Sequence, residues 1–411
     1  MKPAKVYIVG AGLSGLSAAV ALAPKGVPVE TIEAAGGAGG RCRSYYDPAL
    51  DGVIDNGNHL VLSGNWAVRD YLRVIGSEGN FVGPATTEVA FADLRTGERW
   101  TIRPNDGAIP WWIFSKLRRV PGTRARDYLQ LANLIRSGKG IGNGALAERL
   151  IRPFLLAALN TEPELAVEKL IAAVLRETLA KGGSAYRPRI AHPTLAAAFI
   201  DPAIAFVESR GGVFRFGQRL RSLVLNGSAV TGLELPQTKL VVAENECVIL
   251  AAPPWVAKSL LPEIATPSEF RSILSGHFRI APPAGSPPML GLIGATVEWI
   301  FSFPDRISVT VSNAERLIER EREELAALLW RDVATVFNLP AALPPWQVVK
   351  EKRATFAATP AEESKRPGAR TRWENLFLAG DWTATGLPAT IEGAVRSGRL
   401  AAELALARKV V

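Results

Sequence analysis

The feature that most constrains this chain lies in its first fifteen residues. The apolar run Val6-Tyr7-Ile8-Val9 passes without a break into Gly10-Ala11-Gly12-Leu13-Ser14-Gly15 and then an alanine-rich stretch. A short continuous apolar run suits a strand buried on both faces of a parallel sheet. The three glycines then serve different needs. Gly10 permits the tight turn, Gly12 lets backbone approach a pyrophosphate, and Gly15 lets helix pack closely on strand. Amides at the helix start face the phosphates. A second strand, Val29-Glu30-Thr31-Ile32, leads to Glu33 and Ala34, about 20 residues on, where a carboxylate for the ribose belongs. The pattern predicts an α/β fold with a Rossmann-like dinucleotide-binding domain. On these residues alone the dinucleotide can be NAD or FAD.

Composition narrows the partners. With 411 residues, 48% of them hydrophobic, the chain can bury a large core and should divide into two interleaved domains. Its net charge of +9 is not gathered into lysine-rich blocks, and no nucleic-acid-binding pattern is present, so nucleic acid is set aside. Cys42 and Cys247 are far apart, which excludes a disulfide scaffold or a CxxC metal site and suits a reducing cytoplasm. No metal site is expected. No leader peptide is expected ahead of the first strand, and Asp201, Pro202, Glu298 and Pro304 interrupt the most apolar stretches, so no membrane-spanning segment is expected either.

The glycines continue at Gly36-Gly37-Ala38-Gly39-Gly40-Arg41. Gly39-Gly40-Arg41 resembles the second glycine-arginine signature of the amine oxidase and phytoene desaturase flavoprotein superfamily. That resemblance implies FAD, with the glycines beside the phosphate and ribityl chain and Arg41 as a fork-shaped cation for phosphate. Near the other end, Leu376-Phe377-Leu378-Ala379 is followed by Gly380-Asp381 and by Gly386-Leu387-Pro388-Ala389-Thr390-Ile391-Glu392-Gly393-Ala394, similar to the superfamily's C-terminal flavin motif. By that likeness Asp381 accepts from the ribityl chain, and a helix N-terminus at Ala389 to Ile391 lies near the flavin pyrimidine. Segments around Leu220 and Ala252-Pro253 resemble the superfamily's return into the nucleotide domain, with Leu220 against adenine. The C-terminal motif holds neither cysteine nor histidine, so FAD should be bound non-covalently. A rival glycine run, Gly138 to Gly144, follows helix-like sequence rather than a strand and reads as a flexible turn.

Reaction type comes from the less general segments. Asp55-Asn56-Gly57-Asn58-His59-Leu60 resembles a signature of the hydroxysqualene dehydroxylase family, also called squalene-associated FAD-dependent desaturases. The likeness continues through Ala158-Leu159-Asn160-Thr161, the helix from Ala166 to Leu179, and Trp299-Ile300-Phe301 ahead of a strand from Ile307 to Val311. It implies reduction of hydroxysqualene to squalene in bacterial squalene and hopanoid biosynthesis, with water leaving and hydride arriving from reduced FAD. Such chemistry needs an acid at the leaving hydroxyl and an apolar, water-free cavity. His59 is the first candidate for the acid, beside Asp55 and Asn58 in the catalytic loop, while Asn56, Gly57 and Asn58 position the flavin. His192 and His277 read as structural or surface residues. A carotenoid-type desaturase or an amine oxidase is the alternative on the same fold. No second glycine loop in strand-helix context offers a site for NAD(P)H, which implies a separate electron donor.

A C30 substrate resides in the bilayer. Ile109-Pro110-Trp111-Trp112-Ile113-Phe114-Ser115-Lys116-Leu117-Arg118-Arg119 is suited to docking there, with Trp111 and Trp112 at the interface and Lys116, Arg118 and Arg119 on anionic headgroups. The expected location is cytoplasmic, peripheral to the inner membrane. The FAD domain is expected at 1–75, 205–255 and 350–411, and an α+β substrate domain at 76–204 and 256–349.

Overall fold

Buried apolar runs pair side by side in a parallel sheet. Strands Val6–Val9, Val29–Ile32, Cys247–Leu250 and Leu376–Leu378 are buried throughout, and Val213–Arg215 forms an edge. The five strands lie in the order 213–215, 29–32, 6–9, 247–250, 376–378. The structure is a computed structural model that describes residues 2–408. Glu30, the one acid inside these runs, is held by ion pairs to Lys5 and Arg215, as a buried carboxylate requires. The helix Leu13–Leu22 follows the first strand, and the helix Ile391–Leu406 packs across it.

A second, seven-stranded sheet runs in the order 346–356, 270–278, 307–311, 299–302, 289–293, 89–93, 99–102. One of its faces carries Leu274, Phe278, Ile300, Val309 and Val311 under the helix Arg322–Phe337, which supplies Leu325, Leu329, Trp330 and Val333. Because side chains alternate along a strand, the other face carries Ser275, His277, Ser308 and Thr310 on two adjacent strands and Trp299, Phe301 and Phe91 on strands farther out. The three aromatics share a core with the helices Leu129–Ser137, Arg152–Leu159 and Glu168–Glu177. This face is therefore polar on one half and aromatic on the other.

The strand Trp346–Phe356 pairs with Phe270–Phe278 along its length. Residue 350 therefore lies within this sheet, paired with Leu274. Gly138 to Gly144 is a turn, with Gly138 in the left-handed conformation that ends the 129–137 helix.

Candidate active site

Loops at the carboxyl ends of the parallel strands form the site, where ligands bind in open α/β sheets. Gly10 has φ +108°, and a Cβ there would stand 2.6 Å from the Ala251 carbonyl oxygen. A Cβ on Gly15 would stand 1.9 Å from the Gly10 carbonyl oxygen. Gly12 differs, for a Cβ there would meet nothing within 4 Å. The helix behind it starts at Leu13 with no side-chain cap and no acid in its first turn, so the N–H groups of Leu13, Ser14 and Gly15 lack intrahelical partners. Open space in front of uncapped amides fits a pyrophosphate.

Glu33 accepts from Ala11 N–H at 2.7 Å through Oε2 and from Ala35 N–H at 2.8 Å through Oε1. Two oxygens with one bond each keep lone pairs for a ribose. Gly217 N–H donates to the Ala35 carbonyl and Gln218 N–H to the Glu33 carbonyl, both at 2.8 Å, which lays the segment entering buried Leu220 along Glu33-Ala34. Ala252, next to Pro253, accepts the Trp382 indole N–H at 3.0 Å.

The second glycine loop is stitched to the first by Gly39 N–H on the Ala11 carbonyl at 2.8 Å. Gly39 and Gly40 both have positive φ, and Arg41 follows. Its guanidinium donates to Asp381 Oδ1 at 2.7 Å and to the Ala354 carbonyl at 2.6 Å. Arg41 thereby ties the glycine loop to the Gly380-Asp381 turn and to the edge strand 346–356. Arg366 braces that turn, donating to the carbonyls of Asp381, Trp382 and Thr383 while paired with Glu363 at 2.6 Å. Sequence reasoning missed Arg366; Glu363 three residues earlier was the one local hint. Pro388 and Ala389 lead into the 391–406 helix, where Thr390 Oγ1 caps Gly393 N–H at 3.1 Å. Ala394 lies in the first turn of that helix.

The 55–59 loop divides. Asp55 is buried, and its Oδ1 accepts from Ser44 Oγ–H at 2.6 Å and Leu195 N–H at 2.9 Å; burial pushes its carboxyl above the usual range. Asn58 donates to the Val309 carbonyl and to Thr310 Oγ1, both at 3.1 Å. These two residues anchor the loop to the framework. Gly57 lies over Ser275, whose hydroxyl would be 3.5 Å from a Cβ at that position. Asn56 Nδ2 donates to Glu351 Oε2 at 3.2 Å, and Asn56 Oδ1 is buried without a protein partner, an acceptor that fits a ring bearing a donor. His59 is half-buried, its imidazole pushed down to about 4 by desolvation first and by the Arg41 cation second, with the Arg41 backbone and Glu351 opposing. The loop thus brings Asn56 and His59, but not the side chains of Asp55 and Asn58, to Arg41, Asp381 and Glu351. Nothing in Val349-Lys350-Glu351-Lys352 marks Glu351 out from a solvated strand.

His277 is buried with Nδ1 2.8 Å from Ser308 Oγ, and burial pushes it down to about 3; it is a neutral core residue. His192 lines a surface cleft of about 770 Å³ with Tyr45, Thr194 and Arg306. The two tryptophans separate. Trp111 is 64% exposed, whereas Trp112 is buried edge-on against Tyr128 with ring centroids 5.3 Å apart. Trp112 is therefore a core residue, since the 3-10 turn 111–114 sends adjacent side chains in different directions.

The chain matches the family model of flavin-containing amine oxidoreductases over residues 13–406. It is 50% identical over 411 residues to a hydroxysqualene dehydroxylase of Sinorhizobium fredii, covering 98% of this chain and 99% of the relative. A hydroxysqualene dehydroxylase of Rhodopseudomonas palustris is 49% identical, covering 98% of each. In fold the chain resembles cyclohexylamine oxidase from Brevibacterium oxydans, with a TM-score of 0.72 at 16% identity, over 98% of this chain and 99% of that one.

Proposed function

Because this chain belongs to the flavin-containing amine oxidoreductase family, and within it to the hydroxysqualene dehydroxylases, we propose that it uses FAD to reduce hydroxysqualene to squalene. It is an FAD-dependent oxidoreductase. Gly12 and the first amides of the 13–22 helix would hold the pyrophosphate, Glu33 the adenosine ribose, and Arg41, Asn56 and Asp381 the flavin end. Reduced FAD, when bound, supplies the hydride that replaces the hydroxyl.

The observation that carries the reading is the divided face of the seven-stranded sheet. Its polar half lies under the His59 loop, and its aromatic half, Phe91, Trp299 and Phe301, shares a core with apolar helices. The allylic carbon of the substrate belongs at the edge of that buried aromatic core, where water is excluded. Its hydroxyl belongs at the boundary, where His59 passes a proton to the departing oxygen. The C–O bond breaks, a C–H bond forms, the carbon is reduced, and the oxygen leaves as water.

Access completes the proposal. Ile109, Trp111, Phe114 and Leu117 are 61 to 86% exposed and lie among Lys116, Arg118 and Arg119. A contiguous apolar patch among cations is the signature of a surface that enters an anionic bilayer. Among the described residues no helix is long and apolar enough to cross a membrane, so docking would be peripheral, at the cytoplasmic face of the inner membrane. Reducing equivalents would come from a separate donor. Replacing Trp111, Phe114 and Leu117 together by Ser should weaken binding to phosphatidylglycerol vesicles at least tenfold, since each side chain forfeits up to about 1.5–3 kcal/mol of burial. Turnover of detergent-dispersed substrate should be unchanged. Vesicle cosedimentation checks this, and equal binding by the variant would remove the patch from the proposal.

The function itself is tested anaerobically, by reducing the FAD of the holoenzyme with dithionite, adding hydroxysqualene and extracting the lipid. Squalene formed in step with flavin reoxidation is the expected result. Unchanged alcohol would return a desaturase or amine oxidase reading to first place.

A further inference from the structure

We infer that Glu351 is a positioning residue for the reaction, the counter-charge that lets His59 hold a proton beside the permanent cation of Arg41. The inference rests on the function proposed above. The strand Trp346–Phe356 is the edge of the seven-stranded sheet that meets the nucleotide loops, and it makes that contact at two points. The Ala354 carbonyl accepts from Arg41 at 2.6 Å, and three residues earlier Glu351 accepts from Asn56 Nδ2 at 3.2 Å. Glu351 thus faces the same loop as His59, from the sheet side.

The charges around His59 fall into two sets. Arg41 opposes an imidazolium, and its guanidinium is itself paired with Asp381 at 2.7 Å. Glu351 favours an imidazolium, and it stands against the His59 loop through Asn56 at 3.2 Å. Asp55, four residues earlier on the same loop, is turned to Ser44 and Leu195. Cys42, next to Arg41, is buried and pushed up to about 12, so it stays a neutral thiol. With Glu351 neutralised, Asp381 alone would offset the guanidinium, and His59 would hold its proton less often. Asn56 would keep its partner only if the replacement still offered an oxygen.

That last distinction makes the inference testable. Glu351→Gln keeps an acceptor for Asn56 and removes only the charge; Glu351→Ala removes both. In FAD-loaded enzyme, Glu351→Gln should lower turnover about tenfold at neutral pH and move the alkaline limb of the kcat profile acidward by about one unit, the size expected for losing one nearby opposite charge. In a His59→Ala background the same substitution should cost nothing, because residues that act through one another are not additive. A purely structural role for Glu351 predicts the reverse: Glu351→Gln like wild type, Glu351→Ala impaired, and the Ala penalty persisting without His59. Either that pattern or an unmoved alkaline limb would overturn the inference. Should wild-type enzyme yield no squalene, the reaction assigned above falls, and the charge role is then judged by the His59 titration in NMR spectra of the FAD-loaded protein. A midpoint displaced to lower pH in Glu351→Gln supports it, and an identical midpoint overturns it.

Discussion

His59→Ala should retain its yellow colour and lose squalene formation by about 10²- to 10⁴-fold, the usual worth of a positioned acid. FAD is expected to stay because the groups that fit its pyrophosphate and ribose, at Gly12, Glu33 and the 13–22 helix, do not involve His59. The pH dependence sharpens the test. Desolvation and the Arg41 cation push His59 down to about 4, below its ordinary value, so at pH 7 the imidazole of free enzyme is mostly neutral. An acid of this kind makes kcat/KM climb about tenfold for each unit that pH falls between 8 and 5, since kcat/KM reports the free enzyme. Steady-state rates over that range check it. A flat profile, or a His59→Ala variant within threefold of wild type, would assign the proton to another group.

Gly15→Ala should be purified colourless and should unfold several degrees earlier than wild type. The added methyl would lie 1.9 Å from the Gly10 carbonyl oxygen and 3.0 Å from its carbon, both backbone atoms with nowhere to yield. Overpacking of this kind costs about 1–3 kcal/mol or more, and relieving it must displace the turn that faces the pyrophosphate. Gly12→Ala is the informative contrast. Its methyl meets nothing within 4 Å of protein, so the fold should melt as wild type does while FAD affinity falls. Thermal unfolding of the apoproteins and the ratio of flavin to protein absorbance separate the two. A Gly12→Ala variant that keeps its full flavin content would mean that Gly12 has no ligand in front of it.

The nucleotide half was legible because its signals are local. Val6–Val9, Val29–Ile32, Cys247–Leu250 and Leu376–Leu378 are short apolar runs that could bury both faces only in a parallel sheet, and all four do. The positive φ of Gly10 and Gly39 follows from chemistry that those residue types alone supply. What stayed hidden depends on distant pairing. Glu351 meets Asn56 across 295 residues, and Arg366 reaches carbonyls 15 to 17 residues farther along a turn. In sequence both look like solvated charges on a basic stretch. Trp111 and Trp112 show the other limit. Adjacent identical side chains carry no information on which one turns inward, and a single 3-10 turn decides it.

The close contact between the first helix and the 391–406 helix has a consequence for biosynthesis. A Cβ on Gly398 would stand 2.0 Å from the Ser14 carbonyl oxygen, and Ser17 Oγ donates to the Val395 carbonyl at 2.8 Å across 378 residues. The strand and helix that open the nucleotide fold are made 378 residues before this partner. At about 5–20 residues per second, the interval is roughly twenty to seventy-five seconds. Through that interval the face of the 13–22 helix that carries Ser14 and Ser17 lacks its native cover, while its other contacts, on the strands 6–9 and 29–32 and the helix 201–208, can already form. The complete FAD site therefore exists only once the 391–406 helix has been made.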